Sequence, residues 1–336
     1  MFTALVVTRF ILNAFFAIGL KDIKYYGIAK PVKKIDFLSK KALFLGVSIA
    51  LIAVGIVSMG ISKVSSGDIL NYSLDFKGGT ATNITFNEDL SIEEIDTQVV
   101  PLVEDVIGGG GVVPQKVQGT NEVIIKTRTL SLEERDELND VMEEEFDVDV
   151  SKITAETISS AISNEMKSDA IMAIVVSTIC MLIYVWFRFK DIRFGASSVL
   201  CLVHDVLIVV AFYAVAKVSV GSTFIACVLT IVGYSINATI VIFDRIRENM
   251  AEMKRKDNLK DVVNMSINQS LGRSIFTSLT TFIMVAVLYV MGVTSIREFA
   301  LPLMVGIVCG AYSSVCIAGA LWYTLRCKFE TKESDE

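Results

Sequence analysis

Six stretches of this chain are long and apolar enough to cross a bilayer: Ala42 to Ile61, Asp169 to Phe187, Phe194 to Ala216, Gly221 to Phe243, Ser274 to Met291 and Phe299 to Leu325. Hydrocarbon offers no partner to exposed peptide groups, and about 20 apolar residues of helix match its thickness, so these runs are read as spanning helices. Hydrophobic residues make up 53% of the chain, which an ordinary soluble domain would not carry. The expected fold is therefore a polytopic α-helical membrane protein. A seventh apolar stretch, Phe2 to Leu20, carries Arg9 and is expected as a partial or extra spanning helix.

One long hydrophilic insert, Ser62 to Ser168, interrupts the apolar pattern. The expected organisation is a partial helix at 1–20, a basic linker at 21–41, a span at 42–61, the insert at 62–168, a five-helix membrane domain at 169–325 and a tail at 326–336. Short loops rich in Lys and Arg stay in the cytoplasm. Lys21, Lys24, Lys30, Lys33, Lys34, Lys40 and Lys41 precede the first full span; Arg188, Lys190 and Arg193 join the second and third; Arg245, Arg247, Lys254, Arg255, Lys256 and Lys260 join the fourth and fifth. Counting spans puts all three connections on one side, so they and the C-terminus are expected inside and the insert outside. The acidic insert accounts for the pI of about 5.1, and the charge balance gives no reason to expect nucleic acid.

Cys180, Cys201, Cys227, Cys309, Cys316 and Cys327 all fall in spans or at an inner end, which implies neither a disulfide framework nor a thiolate metal site. Met1 to Leu20 lacks a basic leader, so no cleaved signal peptide is expected. No Walker loop, hydrolase motif or metal-ligand cluster is visible; no catalytic residue, cofactor or metal is expected.

The insert reads as a small α+β domain. Thr80 to Phe86 alternates as a strand, and Ser91 with Glu94 has capping-box spacing at the head of a helix running to Ile107. Gly108 to Gly111 break that helix, and Val112 to Val117 with Glu122 to Arg128 read as a hairpin around Gln118 to Asn121. Ser131 and Glu134 repeat the capping box for a helix to about Phe146, and Ser151 to Thr157 supplies a last strand. The order β-α-β-β-α-β predicts a ferredoxin-like arrangement.

Several polar residues stand where a membrane protein normally avoids them. Asp205 is half-way along its span beside His204, the chain's single histidine. A membrane carboxylate is costly unless paired or hydrated. Asp205 reads as a relay or a polar clamp between helices, or as no more than a structural hydrogen-bond acceptor. His204, an imidazole that titrates near neutral pH, reads either as an ion-coupling candidate or as a packed neutral side chain, since its neighbour along a helix faces another side. Arg273 opens the fifth span. Asp244, Arg245, Arg247 and Glu248 close the fourth, either anchoring its inner end or forming a docking face. Glu298 is expected to be solvated near the outer boundary. Gly306 and Gly310 have the spacing that permits close helix contact. Gly78 and Gly79 allow a tight turn or a hinge ahead of the α+β domain.

Taken together and in order, LDFKGGT at Leu74 to Thr80, HDV at His204 to Val206, GYSINATIVIFDRIREN at Gly233 to Asn249, SLTT at Ser278 to Thr281 and FALPLMVG at Phe299 to Gly306 resemble the SecF family of bacterial protein-export membrane proteins. The resemblance covers almost the whole chain, and its start, MFTALVVTRFILNAFFAIG, is similar to the end of a SecD last helix. It implies an RND-like half-transporter architecture in the bacterial inner membrane, with a SecD half, the SecYEG channel, an emerging preprotein, membrane lipid and possible YajC as partners. It also implies a job: promoting late preprotein translocation with the proton gradient as the energy source.

The sequence departs from the family at one position. The family motif reads GYS-x-N-D-T, and here Ala238 replaces the aspartate that would face the family's arginine, matched by Arg273. Alanine carries no proton, so the expectation is that the SecD half brings the carboxylate while Asn237, Asp205 and Arg273 shape the polar interior on this side. Two rival functions are an ion-uncoupled scaffold for the translocon and an RND-type half-transporter for a small molecule or lipid.

Overall fold

The structure is a computed structural model that describes residues 6–20, 35–109, 112–117, 119–254, 256–292 and 294–333. The basic residues Lys21, Lys24, Lys30, Lys33, Lys34 and Arg255, the glycines Gly110 and Gly111, and Gln118 lie outside the described residues. The N-terminal apolar stretch forms α1 (Thr8–Ala17), ten residues long. Its expected start at Phe2 lies outside the described residues.

The first full membrane helix, α2 (Lys41–Ser66), ends at Gly67 in a left-handed conformation. A single turn, α3 (Leu74–Lys77), then leads through Gly78 and Gly79 into β1 (Gly79–Thr85). Ser91 and Glu94 close their capping box at the head of α4 (Ile92–Glu94), which continues through a π turn, Ile95–Val99, into α5 (Val100–Val106). The π turn ends two residues before Pro101, which has no N–H to give the preceding helical carbonyl. Strands β2 (Val113–Lys116) and β3 (Glu122–Thr127) form the expected hairpin. Ser131 and Glu134 cap α6 (Leu132–Phe146), and β4 (Thr154–Ile158) follows. The last strand starts later than the expected Ser151, because Asp149 accepts from the Ser151 N–H and holds Val150–Lys152 in a 3-10 turn.

All pairings in the sheet are antiparallel and its order is β2-β3-β1-β4. With the two helical connections, this is the ferredoxin-like order that the alternation pattern predicted. Ile84 and Ile125 from the central strands meet Val99, Val103, Leu138 and Met142 in one buried core.

The remaining membrane helices are α7 (Ser160–Phe189), α8 (Ile192–Ala216), α9 (Ser222–Ala251), α10 (Leu259–Met291) and a composite of α11 (Thr294–Tyr312), a π segment (Ser313–Ala318) and α12 (Gly319–Glu333). Six helices among the described residues, α2 included, are long and apolar enough to span a membrane. Most outrun their apolar cores. Helix α10 begins at Leu259 rather than Ser274, because Asn258 caps it by accepting from the Lys260 N–H and a polar first half continues the same helix. Arg273 consequently sits near the middle of a 33-residue helix, not at its edge.

Helix α8 is central, packed against α2, α7, α9, α11 and α12. Phe189, Phe194, Phe243 and Trp322 stack at one end of this bundle, with Phe194 4.8 Å from Trp322 and 4.9 Å from Phe243 between ring centroids. Apolar side chains such as Ile49, Val57, Phe187, Met284 and Met291 point outward, the inverse of a soluble surface and the expected coat for a helix bundle in lipid.

Candidate functional site: a buried carboxylate and an unpaired arginine

Asp205 is wholly buried at the middle of α8. The hydroxyl of Ser235 on α9 donates to its Oδ2, and the hydroxyl of Ser313, in the π segment, donates to the same oxygen at 2.8 Å. Cys309 Sγ of α11 donates to Oδ1 at 3.3 Å, and His204 Nδ1 stands 2.9 Å from that oxygen. An ionised carboxylate has acceptor sites only, so these four groups match its capacity. Three helices therefore meet at one buried acid.

The close approach that makes this possible comes from α11. A side chain at Gly306 would collide with Ile231 of α9, and a Cβ at Gly310 would come within 3.2 Å of Ser235 Cβ. The two glycines thus draw α11 onto α9 and bring Ser313 and Cys309 within reach of Asp205. A π turn adds a residue to a helical turn and often marks functional positions; this one carries Ser313 inward.

His204 lies with Asp205 and does not face another side of the helix. Its ring turns along the helix to meet Asp205, while its Nε2 is buried without a partner among the described residues. The neighbouring-residue argument fails because imidazole is long enough to reach back around the helix. The structure also gathers ligand atoms of His204, Asp205 and Cys309 within 4.8 Å of one another, a grouping invisible to the sequence because Cys309 is 104 residues away. Asp205 Oδ1 holds both of the others, His204 Nδ1 at 2.9 Å and Cys309 Sγ at 3.3 Å.

Arg273 and Asn237 are elsewhere. At about 100° per residue, Asn237 faces nearly opposite Ser235 on α9. Asn237, Ala238, Tyr234 and Val241 line a small cleft of about 50 Å³ with Arg273, Ser274, Thr277 and Ser278 of α10. Arg273 is exposed, and among the described residues no hydrogen bond or ion pair reaches its guanidinium. The expected single polar interior is thus two places, one on either side of α9.

The charges closing α9 are paired within the chain. Asp244 receives Arg188 of α7 at 2.9 Å and Arg247 at 3.5 Å; Arg245 meets Glu248 at 2.7 Å and Gln269 of α10 at 2.6 Å. They lash three helix ends together. Glu298, expected to be solvated, is half-buried and accepts from Gln115 of β2 at 3.5 Å. Nearby, burial pushes the ammonium pKa of Lys126 down, with the negative charges of Glu298 and Asp75 opposing.

Gly78 and Gly79 have φ of +74° and +121°, a region that side chains rarely occupy. A Cβ at Gly79 would collide with the Thr127 carbonyl oxygen, and one at Gly78 would lie 3.2 Å from Ser160 Cα. The turn is packed on both sides. Sequence reasoning missed Ser235, Cys309 and Ser313 as partners of Asp205. Ser235 stood inside a quoted motif, but nothing in the spacing links it to α8.

Residues 138–328 match the family described as protein export membrane protein SecD/SecF, C-terminal. The protein translocase subunit SecF of Desulfurispirillum indicum is 32% identical over 295 residues, covering 85% of this chain and 90% of that protein. The protein translocase subunit SecDF of Bacillus subtilis is 32% identical over 308 residues, which are 90% of this chain and 40% of that longer protein. The crystal structure of SecDF, a translocon-associated membrane protein from Thermus thermophilus, superposes with a TM-score of 0.78 at 33% identity, covering 97% of this chain and 43% of that one.

Proposed function

Since the chain belongs to the SecD/SecF family of protein-export membrane proteins, as its SecF-type member, we propose that it acts in protein export beside a SecD half, coupling ion movement through the membrane to the α+β domain. The partner channel is SecYEG, YajC is a possible further partner, and the cargo is a preprotein late in translocation. The membrane is the bacterial inner membrane, with the α+β domain outside and the C-terminus inside. Two contacts support that sidedness. Asn71 Nδ2, ahead of the domain, donates to Lys217 at the end of α8, and Asn264 of α10 accepts from the N–H groups of Phe37 and Leu38 before α2. Among the described residues, Lys40, Lys41 and Lys260 thereby lie at one end of the bundle and the domain at the other, in keeping with the positive-inside rule.

The observation that carries this reading is Arg273. An arginine in the middle of a membrane helix costs about 3 kcal/mol or more when it faces lipid, so it is placed against a partner charge or water. Among the described residues no carboxylate lines its cleft, and Ala238 stands there where the family motif has aspartate. The SecD half supplies the missing acid at this surface. On the other side of α9, Asp205 with His204 is a buried acid and imidazole pair suited to exchanging a proton.

Ala238 also favours a second reading, an ion-uncoupled scaffold that stabilises the translocon. One experiment separates the two: release of a trapped secretory protein from energised vesicles that contain this chain and its SecD half, with ATP-driven steps blocked. If a protonophore stops release, the gradient is coupled despite Ala238. If release needs the complex but ignores the protonophore, the coupled reading is refuted and the scaffold stands.

A further inference from the structure

We propose that Asp75, in the turn leading into the α+β domain, is the positioning residue that ties this domain to α9, so that displacement of α9 at Asp205 is delivered to the domain. The inference rests on the ion-coupled reading above. Helix α9 starts at Ser222 behind Gly221, which has no side chain to cap it. The first N–H groups of a helix need acceptors from outside the helix. Asp75 supplies one from 147 residues earlier: its Oδ2 accepts from the Ser222 N–H at 2.9 Å and from the Ser222 hydroxyl at 2.7 Å. Its negative charge also meets the positive end of the helix dipole.

The cap is part of a broader grip. The Ser73 N–H donates to the Val220 carbonyl at 2.9 Å, and the Val220 N–H donates to the Asn71 carbonyl at 2.8 Å, a short parallel bridge between the two segments. The Ser163 hydroxyl of α7 donates to the Leu74 carbonyl at 3.2 Å. Glycine at 221 permits this approach, because a Cβ there would collide with Ser73 Oγ and come within 2.8 Å of Asp75 Oδ2. From Asp75 the chain turns through Gly78 and Gly79, with Gly79 packed on Thr127 of β3.

A continuous physical path follows. Strands β1 and β3 hold Gly79; the α3 turn carries Asp75; Asp75 holds the head of α9; and Ser235, on the same helix, holds Asp205. Ser222 and Ser235 are separated by about 20 Å of helix at 1.5 Å per residue. A shift of α9 at the Asp205 hub therefore has the domain attached to its end.

The test uses this chain with its SecD half in liposomes, with spin labels at Glu144 on the domain and Val215 at the end of α8, and Cys180 replaced by Ser. The inter-label distance is read with and without a proton gradient. The wild-type complex is expected to shift, Asp75→Ala to lose the shift, and Asp75→Asn, whose amide oxygen still accepts from Ser222, to keep at least half of it. Where Asp75→Ala does not assemble, Ser222→Ala decides: a reduced shift supports the inference, and an undiminished one overturns it. A full shift in Asp75→Ala overturns the inference alone, and loss of the shift in Asp75→Asn overturns the capping role. No shift in the wild type overturns the ion-coupled reading and this inference with it.

Discussion

Ser235 and Asp205, 30 residues apart on neighbouring helices, share a hydrogen bond at the buried centre of the bundle, and the same carboxylate oxygen receives Ser313 from a third helix. One acid thereby organises α8, α9 and the π segment after α11. Its replacement has two separable consequences.

Asp205→Leu leaves the Ser235 hydroxyl without its acceptor and the Ser313 hydroxyl with only the Gly310 carbonyl. An unmet buried polar group costs about 1–3 kcal/mol. A clear loss of thermal stability in detergent is expected. Asp205→Asn keeps size and an acceptor oxygen, so its melting should stay close to wild type while the gradient-dependent part of export disappears. Unchanged gradient dependence in Asp205→Asn would remove Asp205 from the ion path.

Arg273→Ala is expected to weaken association with the SecD half and to depress export at least about tenfold, equivalent to about 1.4 kcal/mol. Arg273→Lys keeps the charge but not the planar fork, and should recover only part. Phe276, exposed on the same helix, provides the comparison: if Phe276→Leu depresses export as much as Arg273→Ala, the arginine has no special role.

Gly306→Val drives a side chain into Ile231 where α11 meets α9. Overpacking of this kind costs about 1–3 kcal/mol. The expected result is a lower melting temperature, together with faster alkylation of Cys309 as the hub loosens. A Gly306→Val protein that melts like wild type would show that the contact is not close.

Glu134 gives a pH-dependent prediction for the α+β domain. Its pKa falls from the ordinary 4.5 to about 2, first because Arg128 hydrogen-bonds its carboxylate and then because the Ser131 N–H does. A lowered folded-state value means stability present above about 4.5 and lost as pH falls through about 2. Hydrogen-exchange protection of α6 in wild type should therefore exceed that of Glu134→Gln at pH 6, and the difference should fade over that window. A constant difference would place the effect in packing instead.

Much of the architecture was legible because local physics dictates it. The six apolar runs must be helices in hydrocarbon, and period-two alternation with two Ser-x-x-Glu caps marked the α+β domain. Helix ends were legible less well. Polar residues extend α10 back to Leu259, and hydropathy cannot see a helix that continues into water.

The sequence by itself determined the spans, the order of strands and helices, and the presence of costly polar groups at Asp205 and Arg273. Only the tertiary structure decided what those groups meet: Asp205 is enclosed by Ser235, Cys309, Ser313 and His204, while Arg273 is left facing outward. The physical reason is that periodicity is a property of one helix, whereas partnership depends on how helices rotate and approach. That was set by glycines at 306 and 310 and by an aspartate that caps a helix 147 residues away.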